Sequence, residues 1–313
     1  MPDYWHPRLS VQPGFQSDKI SSYPLSLAAK AEWDGDVREG VPLVPQENGK
    51  GRIFPVAVVL YGLGSYDAWL LSRQRRYETQ MWTAIQWLES HAVPLGPGTG
   101  WRHEKPVHAF RLPAPWYSGI VQGFALSLFI RAHQCDASDR WSSAVRRTWR
   151  GFHCPIEEGG FARAVPEGII YEEYPTADVD CVFNGMCHAL IGLWEAAISG
   201  LVPEAERDFR LGLNALHARL HHFDLHGWSL YSLNQCLGRP FLASPYYHRA
   251  NGLLATIIGE IAQEPEFCTY GRRWLRTGES LPLRVRKSLR ILRDRAAYAW
   301  RLRAERGSRT AVA

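Results

Sequence analysis

Val182 to Ala197 reads V-F-N-G-M-C-H-A-L-I-G-L-W-E-A-A, and its apolar residues recur at spacings of three and four, the period of an α-helix. The run opens on Asn184-Gly185. A similar residue-plus-glycine step stands at Tyr61-Gly62, Gln122-Gly123 and Asn251-Gly252, each preceding or opening an apolar run, with glycine-to-glycine intervals of 61, 62 and 67 residues. That interval holds two helices and their loops. A helical hairpin cannot cover its own apolar face, so hairpins set side by side bury a common core. The expected fold is mainly α: an incomplete (α/α) toroid of helical hairpins with an extended N-terminal arm. Inner helices would surround a central cleft, and the glycines would let them approach one another or a ligand closely. A helical array without a ring is the alternative.

Working outward, the same periodicity predicts helices over Val56–Leu71, Tyr77–His91, Ile120–Ala132, Asp139–Trp149, Glu204–His221 and Leu253–Ile261, and few segments alternate as strands. Residues 1–53 are rich in Pro, Gly and Ser and read as an arm wrapping the domain. Residues 54–270 form the expected toroid and 271–313 a basic amphipathic helix and tail. From Arg272 to Arg309 there are 13 basic and 3 acidic residues, so this tail carries +10 of a chain whose net charge is +5. Val285, Leu289, Leu292, Ala296 and Trp300 recur there at helical spacing. The tail reads as a solvated helix packed on the domain, a peripheral contact with an anionic membrane, or a polyanion-binding wall. Nucleic acid is disfavoured because no recognised binding module accompanies the arginines.

At 313 residues the chain can bury a substantial core, and 13 Trp, 13 Tyr and 12 Phe suit a wide cleft that stacks on sugar rings as well as they suit packing. Six cysteines (Cys135, Cys154, Cys181, Cys187, Cys236, Cys268) form no C-x-x-C pair and no zinc spacing, and read as buried thiols. There is no basic leader followed by an apolar run and no apolar stretch of membrane-spanning length, so a chain starting at Met1 is expected in the cytoplasm. No metal motif, phosphate loop, nucleophile elbow or nicotinamide fingerprint occurs; Gly62-Leu63-Gly64 lacks the third glycine. No cofactor and no metal are expected.

Residues 168–176 read G-I-I-Y-E-E-Y-P-T. Adjacent glutamates repel and buried phenols need partners, so two tyrosines around two carboxylates are costly unless solvated or used. The plain reading is an edge strand with Ile169, Tyr171 and Glu173 on one face and Ile170, Glu172 and Tyr174 on the other, stopped by Pro175. The other reading is a site.

Three ordered stretches resemble the C-terminal helical domain of the D-glucuronyl C5-epimerases, which invert uronic acids within heparan-type polysaccharides. The first runs from Tyr23-Pro24 through Gly40-Val41-Pro42-Leu43 to Tyr61-Gly62-Leu63-Gly64-Ser65-Tyr66-Asp67. The second joins Trp116-Tyr117-Ser118-Gly119 and Gln122-Gly123 with Tyr171 to Thr176, Phe183-Asn184-Gly185 and Leu190-Ile191-Gly192-Leu193. The third runs from Leu230-Tyr231-Ser232-Leu233 to Tyr246-Tyr247-His248. The resemblance implies catalytic roles for Glu173, Tyr174 and Tyr247 and an active-site place for Tyr231. This chain departs from the family at Tyr231-Ser232-Leu233-Asn234, where Tyr-Asp-Leu-Arg is usual, and at Tyr246 to Asn251, where Asp-Tyr-His-Thr-Thr-His is usual. It loses one charged contact and gains Arg249, and the β-rich domain found upstream in animal members is not expected within these 313 residues.

The implied chemistry, conversion of a D-glucuronate to an L-iduronate, removes a weakly acidic proton α to a carboxylate and returns one from the opposite ring face. Two acid/base groups must flank the sugar. Glu173 or Tyr247 would abstract the proton and a partner tyrosine would return one, in an order the sequence leaves open. Negative charge gathers on the substrate carboxylate, for which Arg163, Arg249 and His248 are the nearest candidates. Arg163 also reads as a surface ion pair with Glu157 or Glu158, and His248 as a core histidine. Gln122 and Asn184 could bind sugar hydroxyls or cap helices; Tyr61, Tyr171 and Tyr231 complete the candidate substrate-binding set. The expected partner is a uronate-containing polysaccharide or oligosaccharide, with a homodimer left open. Rival readings are a uronate lyase, which shares the first step, a glycoside hydrolase pairing Glu172 or Glu173 with Asp178 or Asp224, and a non-catalytic carbohydrate-binding protein.

Overall fold

Proline fixes where several helices begin, because its locked φ suits the first helical turn and its missing N–H is not needed there. Pro55 opens α1 (Pro55–Ser72), which ends where Arg73 turns left-handed at φ 56°. The following helices are α2 (Arg75–Ser90), α3 (Gly119–Cys135), α4 (Asp139–Arg150), α5 (Phe183–Ile198) and α6 (Ala205–His217). Pro245 opens α7 (Pro245–Ala262), and Pro265 opens α8 (Pro265–Glu279). The computed structural model describes residues 4–46, 49–234 and 240–294.

The protein is mainly helical with small antiparallel sheets, the longest connected pair being the hairpin Ala162–Val165 and Gly168–Tyr171. Helix α1 packs on α3, α3 on α5 and α5 on α7, while α2, α4, α6 and α8 each pack on the helix before them. The composition of the two sets follows this division. Helices α3 and α5 bury nearly every residue, whereas α4 buries only Trp141, Ala144, Val145 and Thr148, one stripe at helical spacing.

The repeat glycines take different places. Gly123 lies in α3 where an added Cβ would come within 2.3 Å of the His188 carbonyl oxygen on α5, so only glycine admits this backbone approach. Gly62 and Gly252 lie inside their helices, not at the start, facing Leu128 and Leu275. Two helices differ from expectation. Helix α7 begins at Pro245, eight residues before Leu253, because Ser244 caps it by accepting from the Tyr247 N–H at 3.3 Å. The first half of helix α8 was not expected: it begins at Pro265, ahead of the basic helix expected from residue 271. Its buried face is sparse, with Phe267, Gly271 and Trp274 alone.

The N-terminal arm shares the common core through Tyr23, Leu25 and Leu27. The Asp67 carboxylate on α1 accepts from the Tyr23 and Leu27 N–H groups at 3.0 and 3.2 Å, and the Tyr23 hydroxyl is hydrogen-bonded to His188 Nδ1 at 2.8 Å. At the other end of the chain, residues 281–294 are helical. Leu283 and Ile291 pack on the core and Lys287 donates to the Leu225 carbonyl. The stripe expected to pack, Val285, Leu289 and Leu292, is exposed instead, since the docked face runs through residues 283, 287 and 291 at spacing four. Ala296 and Trp300 lie outside the described residues, as does Cys236. Of the other cysteines, Cys154, Cys181 and Cys187 are buried as expected, but Cys135 is exposed at the last position of α3 and Cys268 is half-buried. Among the described residues no helix is long and apolar enough to cross a membrane.

Arg131 on α3 donates two bonds to the Glu195 carboxylate on α5, at 2.8 and 2.7 Å, with both side chains sealed from solvent. Breaking one partner of such a pair strands a buried charge. Arg131→Met is expected to lower the unfolding free energy by about 3–5 kcal/mol, and Arg131→Met with Glu195→Leu to recover most of that loss. Urea titration of the two variants checks this, and equal midpoints for single variant and wild type would refute it.

Candidate active site

The hairpin strand ends at Tyr171, and the chain bends at Glu173 and Tyr174, so Glu172 and Glu173 meet different neighbours. Arg163 pairs with Ile170 across the hairpin and sits diagonal to Glu172 on one face. Its Nε donates to Glu172 at 2.9 Å, and its remaining nitrogens donate to the carbonyls of Thr176, Ala177 and Asp178. The Asp180 and Cys181 N–H groups add bonds to Glu172 at 3.1 and 2.7 Å. Burial pushes the Glu172 carboxyl up, and those N–H groups with Arg163 pull it back. Arg163 is thus the clamp of the loop after Tyr174. The ion pair expected with Glu157 or Glu158 is not made, because both glutamates are exposed while Glu172 is sealed beside the guanidinium.

Glu173 meets a different set of groups. Its backbone carbonyl accepts from Ser118 at 2.8 Å, and its side chain lies over the first turn of α5, where a Cβ on Gly185 would meet Oε2 at 2.6 Å. The Tyr231 hydroxyl donates to Oε1 at 3.4 Å, and Oε2 has no hydrogen-bond partner. Burial raises the carboxyl from 4.5 to about 7, against the opposing pull of the Tyr174 and Tyr231 phenols. Tyr174 and Tyr231 are themselves raised well above 10, first by burial and then by the Glu173 charge. Tyr231 meets Tyr247 edge-on at a ring separation of 5.0 Å, and Tyr174 stacks on Phe110 at 4.3 Å.

A cleft of about 220 Å³ brings together Glu173, Tyr174, Asn184 and Tyr247, with Lys30 and His188 on its wall. A second cavity of about 320 Å³ meets the other side of Glu173 and Tyr174 and is lined by His103, Lys105 and Trp116. Together they have the size of a small-ligand site. Asn184 is buried with Oδ1 unpartnered, which leaves an acceptor for a ligand hydroxyl.

The remaining sequence candidates are engaged elsewhere. Gln122 donates to the carbonyls of Thr99 and Thr148 at 2.7 and 2.6 Å, tying α3 to α4 and a neighbouring hairpin. The Tyr171 hydroxyl donates to the Asp208 carbonyl, and burial with the neighbouring Gln80 and Glu32 accounts for the environment of Tyr61. Arg249 is exposed and donates to the Leu9 carbonyl of the arm. His248 is a core histidine: Nδ1 accepts from the Ser229 N–H at 3.0 Å and its ring stacks on Trp228 at 3.8 Å, burial lowering it to about 4.

Sequence reasoning missed Lys30, His188 and His103. His188 is lowered to about 3 and His103 to about 4, both by burial, so both imidazoles are neutral at pH 7. His103 stacks on Trp116 at 4.0 Å and its Nε2 is unpartnered. Nothing local in the sequence marks these residues, which reach the cleft through long-range packing. Among the described residues no cluster of His, Cys, Asp and Glu could hold a metal ion.

The helical scaffold thus seals one carboxylate among phenols beside a cleft large enough for a small ligand. Residues 99–276, more than half of the chain, match the D-glucuronyl C5-epimerase C-terminus family, and the chain belongs to it. A D-glucuronyl C5-epimerase of Caenorhabditis elegans is 24% identical over 224 residues, covering 66% of this chain and 36% of that protein. The chain therefore spans about a third of the length of that curated relative. The family match contains Glu173, Tyr174, Tyr231 and Tyr247 and leaves out the arm, α1 and α2.

The raised Glu173 carboxyl has a consequence for stability. The folded chain keeps this proton between pH 4.5 and about 7 while the unfolded chain loses it, so the wild type loses stability as pH rises through that window. Glu173→Gln removes the effect. Its stability advantage over wild type is expected to be larger at pH 8 than at pH 4.5 by on the order of 3 kcal/mol, read by urea unfolding at both pH values. An advantage independent of pH would refute the perturbed carboxyl.

Proposed function

We propose that this chain inverts C5 of D-glucuronate residues in a polysaccharide or oligosaccharide, giving L-iduronate. The observation that carries the reading is the sharing of one cleft by Glu173 and Tyr247, with Tyr231 touching both. The adjacency of α1, α3, α5 and α7 supports an incomplete (α/α) toroid with this cleft at its centre.

In this reading the Glu173 carboxylate takes the C5 proton and the bonding pair moves onto the substrate carboxylate, forming an enediolate. A phenol, Tyr247, returns a proton to the opposite face of C5, and the pair moves back as the carboxylate reforms. Glu173 suits the base role because its carboxyl lies at about 7, so it is half-ionised at neutral pH and still basic. An unperturbed phenol near 10 is a better donor than base at that pH. Glu173 and the phenol then re-equilibrate with solvent, so C5 acquires solvent hydrogen. A hydrolase needs two carboxylates across the bond, and Glu173 is the one acid among the described residues lining the two cavities. Glu172 is consumed by Arg163, Asp178 is exposed, and Asp224 holds Trp274 and Arg273.

Deuterium uptake at C5 of a glucuronate polymer in deuterated water tests the proposal. The wild type is expected to exchange without chain cleavage, at a rate rising with pH up to about 7 and levelling above it. Tyr247→Phe is expected to lower exchange by at least about 100-fold. An unsaturated uronate product would identify a lyase, and binding without exchange a carbohydrate-binding protein.

A further inference from the structure

The helical run 281–294, which the proposed reaction leaves unused, reads L-P-L-R-V-R-K-S-L-R-I-L-R-D and holds five basic residues and one acid. Two faces of this helix are apolar. One is docked: Leu283 and Ile291 pack on the core, and Lys287 between them donates to the Leu225 carbonyl at 3.3 Å. The other, made of Leu281, Val285, Leu289 and Leu292, stays in solvent at 66, 51, 62 and 60% exposure. Large apolar residues exposed singly are ordinary, but four in one line mark a surface that something covers. We infer that helix 281–294 lies on an anionic lipid surface, its outer stripe entering the bilayer interface and its arginines meeting lipid phosphates. This contact does not depend on the reaction at the cleft.

The arginines decide what covers the stripe. At about 100° per residue the four aliphatic positions fall within roughly 80° of arc. Arg284 stands on one side of that arc and Arg286 and Arg293 on the other, each roughly a quarter turn from its centre. Arg284 and Arg286 are exposed and make no ion pair among the described residues. The one acid of the run, Asp294, is buried and lies 4.0 and 3.9 Å from Arg290 and Arg293. On this flank a groove of about 890 Å³ is lined by Arg286, Lys287, Arg290 and Arg293 with His226, and no acid is among the described residues lining it. It offers space for headgroup phosphates. An apolar stripe between rows of arginine is the form of helix that lies in the plane of a membrane, with aliphatic side chains in the acyl boundary and guanidinium groups at the phosphates. A second copy of the chain would instead set the arginines of both stripes against each other, and a polyuronate would bond the arginines but leave the four aliphatic residues in water. The sequence after residue 294 adds Tyr298, Trp300 and five arginines up to Arg309 against Glu305 alone, residue types enriched at such interfaces.

Co-sedimentation of the full chain with vesicles tests this, using phosphatidylcholine alone and a two-to-one mixture of phosphatidylcholine and phosphatidylglycerol. The wild type is expected to bind the mixed vesicles at least about 10-fold more tightly than the neutral ones, and to lose most of that gain in molar salt, where charges are screened within about 3 Å. Arg284→Gln with Arg286→Gln is expected to weaken binding to mixed vesicles by about 10-fold or more, since one arginine near an anionic surface is worth roughly fivefold. Leu289→Ser with Leu292→Ser is expected to weaken it by about 10-fold as well, through lost apolar burial. Both pairs are expected to keep the wild-type urea midpoint, because all four side chains are exposed. Binding that needs the arginines but ignores the serine pair would mean plain attraction of a polyanion and overturn the inference. Equal binding to neutral and mixed vesicles, or none to either, would overturn it too. A monomer–dimer equilibrium in sedimentation velocity that the serine pair abolishes would assign the stripe to a second copy, with the same result.

Discussion

Two adjacent carboxylates cannot both be buried as bare charges, and this constraint organises the site. The chain bends at Glu173, just past the strand, and the fold answers each carboxylate differently. Glu172 receives a guanidinium and two backbone N–H groups, and those bonds fix the loop from residue 172 to 181. Glu173 receives a phenol and the first turn of α5, with no cation in contact, so its ionisation is pushed to about 7. One carboxylate is spent on shaping the loop, which leaves the other free to exchange a proton. Exchanging their surroundings would produce an ion-paired Glu173, permanently charged and too weak a base for a carbon acid.

The helical scaffold makes this possible by excluding water. Helices α3 and α5 bury their whole circumference, and Gly123 lets their backbones close to contact, so the start of α5 is brought under Glu173. The Arg131–Glu195 pair holds the same two helices further along, with two guanidinium nitrogens donating to the two carboxylate oxygens. The desolvation that raises Glu173 destabilises the folded chain above pH 7, and packing elsewhere in the core must offset it. The raised pKa values of Tyr174 and Tyr231 follow from the same dryness. Phenols held neutral beside a partly ionised carboxyl leave Glu173 as the member of the cluster that gains or loses a proton near pH 7.

Much of the helical pattern was legible because burial on one or all faces leaves a period in the sequence. Val182–Ala197 gave α5 to within a residue at each end, and Asp139–Trp149 gave α4. The first half of helix α8 was illegible since only three residues of the helix are buried, too few to set a period. The clustering of Glu173, Tyr174, Tyr231 and Tyr247 was legible through resemblance, not physics, because they come from three separate elements. Charged partners were the least legible. Arg163 and Arg249 were nominated by closeness in sequence, yet a guanidinium binds whatever acceptor the fold presents, here Glu172 with three loop carbonyls, and Leu9 from the far end of the chain. Gln122 failed as a sugar ligand for the same reason: backbone carbonyls left open between α3 and α4 took its amide first.

The arm read from composition as a wrapping segment has a more specific place in the structure. Its Pro- and Ser-rich sequence cannot form a long helix, so its backbone N–H groups must find acceptors elsewhere, and the Asp67 carboxylate supplies them for Tyr23 and Leu27. Those bonds set Leu25, Leu27 and Lys30 at the mouth of the cleft beside Tyr246 and Tyr247. The cleft is consequently composite: Glu173, Tyr174 and Tyr247 lie within the family match, and part of the wall lies before it. In the proposed reaction, chemistry at C5 would demand a fixed acid/base geometry, whereas recognition of a polymer would demand only a wall of suitable charge and shape. A wall built from an arm can change by substitution within a loop-like segment without disturbing the α3–α5 packing that seals Glu173.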